Sequence, residues 1–239
     1  MAARKKVVEI LSSIREMGRR ELLEHESKQV LAAWDIPTTR VELARDAAEA
    51  VKAARELKYP VVMKIASPDI IHKSDAGGVR VGLSSELEVR EAFEEIMDSA
   101  REYKPKAKIL GVTVQEYMHR AREVIVGTVQ DPTFGATVMF GLGGVWVEVL
   151  KDVSFRLAPL TVVDAKEMIS EIKGYPILAG IRGELEADID AIVDILQKAG
   201  QLAQEFPEIV EMDINPIFVF DRGKGATAID ARIILKEEA

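Results

Sequence analysis

Residues 61–82 read VVMKIASPDIIHKSDAGGVRVG, and they gather the side chains best suited to chemistry. An apolar run, Val61–Ile65, carries the lysine Lys64. A polar loop with His72, Lys73, Ser74 and Asp75 follows, Gly77 and Gly78 close it, and a second apolar run, Val79–Leu83, leads away. A lysine in an otherwise buried strand is expensive unless its charge is used. Two lysines and a glycine pair between strands suit oxyanion binding: the ammonium groups neutralise charge, and the glycines let backbone N–H groups approach. The plainer reading is a surface hairpin whose lysine snorkels to water. The repeated cation favours the phosphate reading. His72 adds a nucleophile, since imidazole, with an ordinary pKa of about 6.5, is largely neutral near pH 7 and can receive a phosphoryl group.

A second constellation is Glu211-Met212-Asp213-Ile214-Asn215-Pro216, followed by Ile229-Asp230-Ala231. In a strand, positions 211, 213 and 215 share a face. Oxygen-bearing side chains on one face, with Asp230 on a following strand, suit a hard cation such as Mg²⁺, which takes few protein ligands and completes its shell with water and phosphate. The alternative is a solvated strand face, against which the apolar neighbours argue. The stretch Val114-Gln115-Glu116-Tyr117-Met118 reads as a strand end whose backbone could pair with an adenine edge. Glu123 follows, where a carboxylate could bind ribose hydroxyls; either feature alone is also ordinary strand-end polarity. GLGG at 141–144 reads as a turn, and Lys151, Asp152 and Arg156 as a polar strand face. His25 and His119 receive no role.

The 239 residues suffice for one large domain or two modest ones. The chain is 48% hydrophobic, and no apolar run approaches the roughly 20 residues of a membrane span. The basic start, MAARKKVVEI, lacks the apolar core of a signal peptide. With no cysteine, disulfides and thiolate zinc sites are excluded, and a reducing, cytoplasmic compartment is expected. A net charge of −8 without a basic block argues against nucleic-acid binding. Asn215 is the single asparagine. With many Glu, Lys and Arg, that pattern resembles the avoidance of heat-labile residues in thermophilic proteins.

The elements that would position these residues follow from periodicity. Residues 4–17 and 20–34 read as helices, 38–43 as a strand, and Asp46 caps a helix to Leu57. After the 61–83 hairpin, Ser84 or Ser85 caps a helix to Tyr103. Strands are expected at 108–117, 122–130, 135–141, 144–150 and 152–158, helices at 164–173 and 188–205, and strands at 210–220 and 226–234. The order is α+β. Residues 1–18 form an N-terminal helix, 19–112 a smaller lobe with the histidine loop, and 113–239 a larger lobe with the cation site. A nucleotide between the two lobes is expected. No Walker A or GxGxxG pattern is present.

Taken together, VVMKIASPDIIHKSDAGGV, VQEY with REVIVG, DPTFGATVMFGLGGVWVEVLKDVSFRLAPL, and EMDINPIFV with AIDARI resemble an ATP-grasp domain, and within that group the β subunits of archaeal ADP-forming acyl-CoA synthetases. The resemblance spans about residues 60–234. It implies an acid–thiol ligase running acyl-CoA + ADP + phosphate ⇌ acid + CoA + ATP, with ATP or ADP as substrate and Mg²⁺ as cofactor. It also implies an α subunit that carries CoA and acyl group, in an α₂β₂ heterotetramer. Residue by residue, it makes His72 the phosphoryl carrier and Asp213 the carboxylate that stabilises it. Lys64 becomes the phosphate lysine, Glu116 the adenine-hinge residue, Glu123 the ribose carboxylate, and Asn215 and Asp230 the metal ligands. Lys73, Gln115 and Met118 complete the expected nucleotide contacts. Two other readings compete: a self-contained ATP-grasp carboxylate–amine ligase, which needs no His72, and a nucleotide-sensing subunit without catalysis.

Overall fold

The computed structural model describes residues 2–143, 152–181 and 183–237. The chain divides into two units by internal contacts: residues 23–25 with 39–119, and residues 1–22, 26–38 and 120–239.

The smaller unit is built on an antiparallel sheet. Its strands β2 (Val41–Ala44), β3 (Val61–Ala66), β4 (Val79–Leu83) and β5 (Gly111–Glu116) lie in the order β2-β5-β3-β4. Helices α3 (Ala47–Leu57) and α4 (Glu86–Tyr103) pack against the sheet and each other. Each helix starts where a short polar side chain takes an orphan N–H. Asp46 accepts from Glu49 N at 2.8 Å, and Ser85 accepts from Glu88 N at 3.2 Å. Val61, Met63 and Ile65 of β3 join Val112 and Val114 of β5 and the apolar faces of both helices in one core. All six residues of β3 are buried, so this strand tolerates polarity only where it is paired.

The larger unit carries, among the described residues, a seven-stranded sheet. Its strands are β1 (Glu21–Leu22), β6 (Arg122–Asp131), β7 (Gly135–Leu142), β8 (Val153–Leu157), β9 (Ile209–Val219), β10 (Ala226–Ala228) and β11 (Arg232–Leu235). The order is β1-β11-β9-β6-β7-β8, with β10 also on β9. Helices α1 (Ala2–Glu16), α2 (Glu24–Ala33), α5 (Val162–Glu171), α6 (Tyr175–Ala179) and α7 (Ile189–Glu205) accompany it. The apolar stripes of α1 (Val7, Leu11, Ile14) and α7 (Ile192, Ile195, Leu196, Ala199) enter one core with alternate residues of β6, β7 and β9. No helix among the described residues is long and apolar enough to cross a membrane.

Most elements lie where periodicity places them. The differences have local causes. Residues 20–34 are not one helix, because Glu21–Leu22 pairs as a strand with Ile233–Ile234 before α2 begins. Residues 226–234 are not one strand, because the chain breaks at 229–231 and resumes as β11. The five-residue helix α6 was too short for a periodic signal. Val8, beside the buried Val7 in the first helix, is 41% exposed. The expected strand 144–150 lies outside the described residues. The lobe limits read from sequence also differ from the units: residues 113–119 stay in the smaller one, because β5 is hydrogen-bonded between β2 and β3.

Candidate functional site

In the smaller unit, β3 places Lys64 opposite Val79 on one side and Thr113 on the other. Lys64 is 7% exposed, and its ammonium donates to Glu24 Oε1 at 2.7 Å. Lys73, from the loop, donates to the other oxygen, Glu24 Oε2, also at 2.7 Å. One carboxylate, itself 5% exposed, thus takes both lysines. The snorkelling alternative for Lys64 does not hold, since the group stays inside and is neutralised there. Sequence reasoning missed Glu24. A signal existed: Glu24, Ser27, Lys28 and Leu31 repeat at helical spacing, and all four are buried. Two charged residues therefore sit on the inward stripe of a helix.

The loop between β3 and β4 is fixed at its base and open at its tip. Ser67 Oγ donates to Lys108 O at 2.9 Å, and Asp69 Oδ2 accepts from Lys108 N at 2.6 Å. Ile70 is buried beneath the loop. Gly78 N donates to Lys73 O at 2.8 Å, and Gly77 N to Ser74 O at 3.0 Å. Gly77 has φ +62°. At Gly78 a Cβ would stand 2.5 Å from Ile65 Cγ2 and 2.9 Å from Lys73 O. The glycine pair therefore serves close packing as well as turning. His72 lies exposed at the outer part of this loop, directly before the anchored Lys73.

At the end of β5, Gln115 is 1% exposed and paired on both sides, with Val41 and with Val62. Glu116 is occupied: its carboxylate accepts from Arg40 N at 2.8 Å and Arg40 Nε at 2.7 Å, and its own N–H donates to Arg40 O. Met118 follows outside the strand, half-buried.

In the larger unit the centre of β9 carries the acidic cluster. Met212 and Ile214 enter the core, and so do Ile217 and Val219. Residues 211, 213 and 215 alternate with the buried 212 and 214 as expected, and the parity changes beyond them, at Pro216. Both neighbours record the change. On β6 the register shifts between Val124 and Val126. On the other side β10 and β11 share the edge of β9, and their gap holds Asp230. Pro216 has no N–H to give a ladder, and the gap is bridged by Asn215 N to Asp230 O at 3.2 Å and Ile229 N to Pro216 O at 2.9 Å. Asp213, Asn215 and Asp230 are thereby gathered on adjoining stretches, with Asp230 Oδ1 accepting from Ala231 N at 2.8 Å.

Asp213 is the perturbed member. Burial, then the nearby charges of Glu211 and Asp230, push its carboxyl up to about 6, while Arg232 works in the other direction. Its Oδ1 is buried and accepts no hydrogen bond. A buried carboxylate oxygen without a donor, beside two other acids, is a place that lacks positive charge. The donors are all oxygen, and two carboxylates with an amide fit a magnesium ion whose remaining positions belong to water and phosphate. No group of three or more His, Cys, Asp or Glu forms a metal site among the described residues, so the protein alone does not close a full cage here. Beside Asp213 and Glu211 a cavity of about 210 Å³ is lined by Ile125, Gly127, Met139 and Phe155. Glu123, half-buried at the start of β6, pairs with Phe218. A larger cavity, about 490 Å³, lies elsewhere in this unit around Lys166, Tyr175 and Arg222 and contains none of the expected residues.

The remaining polar residues have local tasks. Asp152 accepts from Lys173 N at 2.8 Å and Gly174 N at 2.7 Å. Arg156 pairs with Glu171 of α5. Gly144 and Lys151 lie outside the described residues. His72 and Asp213, linked by the sequence reading, belong to different units.

Comparison with known proteins gives a consistent picture. Residues 13–235 match a family model described as an ATP-grasp domain. The chain is 56% identical over 216 residues to the β subunit of ADP-forming acetate–CoA ligase I from Pyrococcus furiosus, covering 90% of this chain and 92% of that one. It is 46% identical to the ADP-forming 4-hydroxybutyrate–CoA ligase of Nitrosopumilus maritimus, covering 95% of this chain but 33% of that one. Among solved structures, an acetyl-coenzyme A synthetase 1 from Ca. Korarchaeum cryptofilum matches with a TM-score of 0.85 and 46% identity, over 96% of this chain and 100% of that one. That protein is in complex with coenzyme A and Mg-AMPPCP, its phosphohistidine segment pointing towards the nucleotide binding site.

Proposed function

The chain belongs to the ATP-grasp family, among the β subunits of ADP-forming acetate–CoA ligases, and from that premise we propose that it carries phosphoryl groups between a partner subunit and ADP through His72. The overall reaction is acyl-CoA + ADP + phosphate ⇌ acid + CoA + ATP. The chain is the nucleotide-binding subunit. The partner supplies the CoA and acyl chemistry, as the relative three times longer supplies it within one polypeptide. An α₂β₂ assembly in the cytoplasm is the arrangement we propose.

The observation that carries the reading is the uncompensated negative charge at Asp213. An imidazole that gains a phosphoryl group becomes cationic. A carboxylate short of partners is suited to receive it, and it is ionised above pH 6. In the direction of ATP synthesis, a His72 nitrogen takes the phosphoryl group from the partner's donor. An oxygen of the ADP β-phosphate then attacks phosphorus, the P–N bond breaks as the new P–O bond forms, and His72 returns to neutral imidazole. Lys64 and Lys73 hold phosphate oxygens in place of Glu24. Gln115, the backbone at Glu116 and Met118 hold the base, and Glu123 the ribose. Because Arg40 occupies the Glu116 carboxylate, that residue acts through its backbone. Asn215 and Asp230 would hold Mg²⁺, which when bound neutralises charge on the transferring phosphate, and Asp213 is left to the imidazole. Thermophily, suggested by the composition, is part of the same proposal.

The test is labelling with γ-labelled ATP and Mg²⁺, with and without the partner. Acid-labile, base-stable label that disappears in His72→Ala, while ADP binding is kept, is the expected result. Full activity of His72→Ala with the partner present overturns the relay. A carboxylate–amine ligase or a nucleotide sensor predicts no label on His72.

A further inference from the structure

We infer that Glu24 is a positioning residue that couples phosphate binding at Lys64 to the placement of the His72 loop. The inference rests on the proposed roles of Lys64 and His72, and adds a residue and a linkage to them.

Three observations carry it. Glu24 is 5% exposed, and its two oxygens are divided between two lysines, Lys64 on the rigid strand β3 and Lys73 on the loop, each at 2.7 Å. Lys73 is the residue after His72, and its carbonyl closes the loop by accepting from Gly78 N at 2.8 Å. The strand lysine is fixed by its ladder and by Thr113 Oγ1 donating to Lys64 O at 3.2 Å. The loop lysine has no such ladder. Glu24 thus joins a cation on a strand to a cation on a loop.

A buried carboxylate holding two ammonium groups cannot change its relation to one without changing its hold on the other. A polyphosphate carries more negative charge than Glu24 and offers more acceptor oxygens. When it engages Lys64, it competes with Oε1 for that ammonium, or draws both lysines away together. Either way the seat of the loop depends on whether phosphate is present. Without Glu24 the strand lysine and the loop lysine lose the carboxylate they share, and the response of the loop to the nucleotide weakens.

The experiment is hydrogen exchange of the peptide spanning residues 67–80 in the full chain, with and without Mg·ADP, for wild type, Glu24→Gln and Lys73→Met. An amide is isosteric with the carboxylate but presents one acceptor and one donor end, so it cannot hold both lysines. In wild type, ADP is expected to change loop exchange by about threefold or more, the scale of a modest local opening. Both variants are expected to exchange faster than wild type without ligand and to show no ADP effect, and Glu24→Gln, which removes no phosphate contact, should still bind ADP. The phosphoryl transfer rate through His72 should fall roughly tenfold, the scale of one lost charge-assisted hydrogen bond.

A wild-type loop indifferent to bound ADP overturns the coupling. So does a Glu24→Gln loop that answers ADP as wild type does. Should Glu24→Gln fail to fold, Glu24→Asp decides, since it keeps the charge on a side chain one methylene shorter, which cannot hold both lysines at 2.7 Å without a shift. A wild-type chain that binds no ADP or never labels at His72 removes the proposed function itself, and the coupling with it.

Discussion

Replacing Asp213 with asparagine should make the ligand-free protein more stable and the enzyme inactive. The carboxyl lies near 6 instead of its ordinary 3.8, so the folded state holds the proton more tightly than the unfolded chain does. The stability this group confers is complete below about pH 4 and is lost as pH rises through 6. Above that, ionised Asp213 costs the fold roughly 3 kcal/mol, taking about 1.4 kcal/mol for each pH unit of displacement. Asparagine keeps the shape and never ionises. Urea denaturation at pH 8 should therefore show Asp213→Asn more stable than wild type by up to about 3 kcal/mol, and the gap should close near pH 4. Mg·ADP should shrink or reverse the gap at pH 8, because a cation favours the charged form and binding to the native state alone adds stability. Phosphoryl transfer should fall with the same substitution. A variant that is equally stable, or less stable, at pH 8 and unchanged in its gap at pH 4 would refute the idea that Asp213 holds uncompensated charge.

Three other outcomes follow from the geometry. Lys64→Met removes a charge-assisted contact to phosphate, and calorimetry should find ADP binding weakened roughly tenfold to a hundredfold. Gly78→Ala puts a methyl 2.5 Å from Ile65 Cγ2 and should lower stability by about 1–3 kcal/mol, as overpacking does, measured by thermal denaturation. The chain on its own should form no acetyl-CoA from acetate, CoA and ATP, and thioester assay of the pure protein with and without the partner subunit decides this.

Much of this was legible in the letters. The hairpin around Lys64 and His72 announced itself because a charge in an apolar strand and two adjacent glycines are each costly without a task. Asp46 and Ser85 capped helices as their types predict. What sequence did not yield depends on partners distant along the chain. Glu24 is 40 residues from Lys64 and 49 from Lys73, and no local pattern links them. The engagement of Glu116 by Arg40 is of the same kind, across 76 residues. Alternation holds for 211, 213 and 215 but does not continue past Pro216, because a strand rule assumes an unbroken ladder, and proline interrupts one. The elevation of the Asp213 carboxyl needs burial and Glu211 and Asp230 together, and only folding brings Asp230 near.

The smaller unit is not one stretch of chain. Residues 23–25 belong to it, yet residues 26–38 return to the larger unit before 39–119 complete the smaller one. Cutting a fragment at 38/39 and 119/120 would look natural to anyone recombining relatives or exchanging lobes between paralogues. Such a graft carries Lys64 and Lys73 but leaves behind the carboxylate that holds both. Chimeras joined there inherit the recipient's residue at position 24, so lobe exchange succeeds only between parents that agree at that distant site or when the short N-terminal segment travels with the insert.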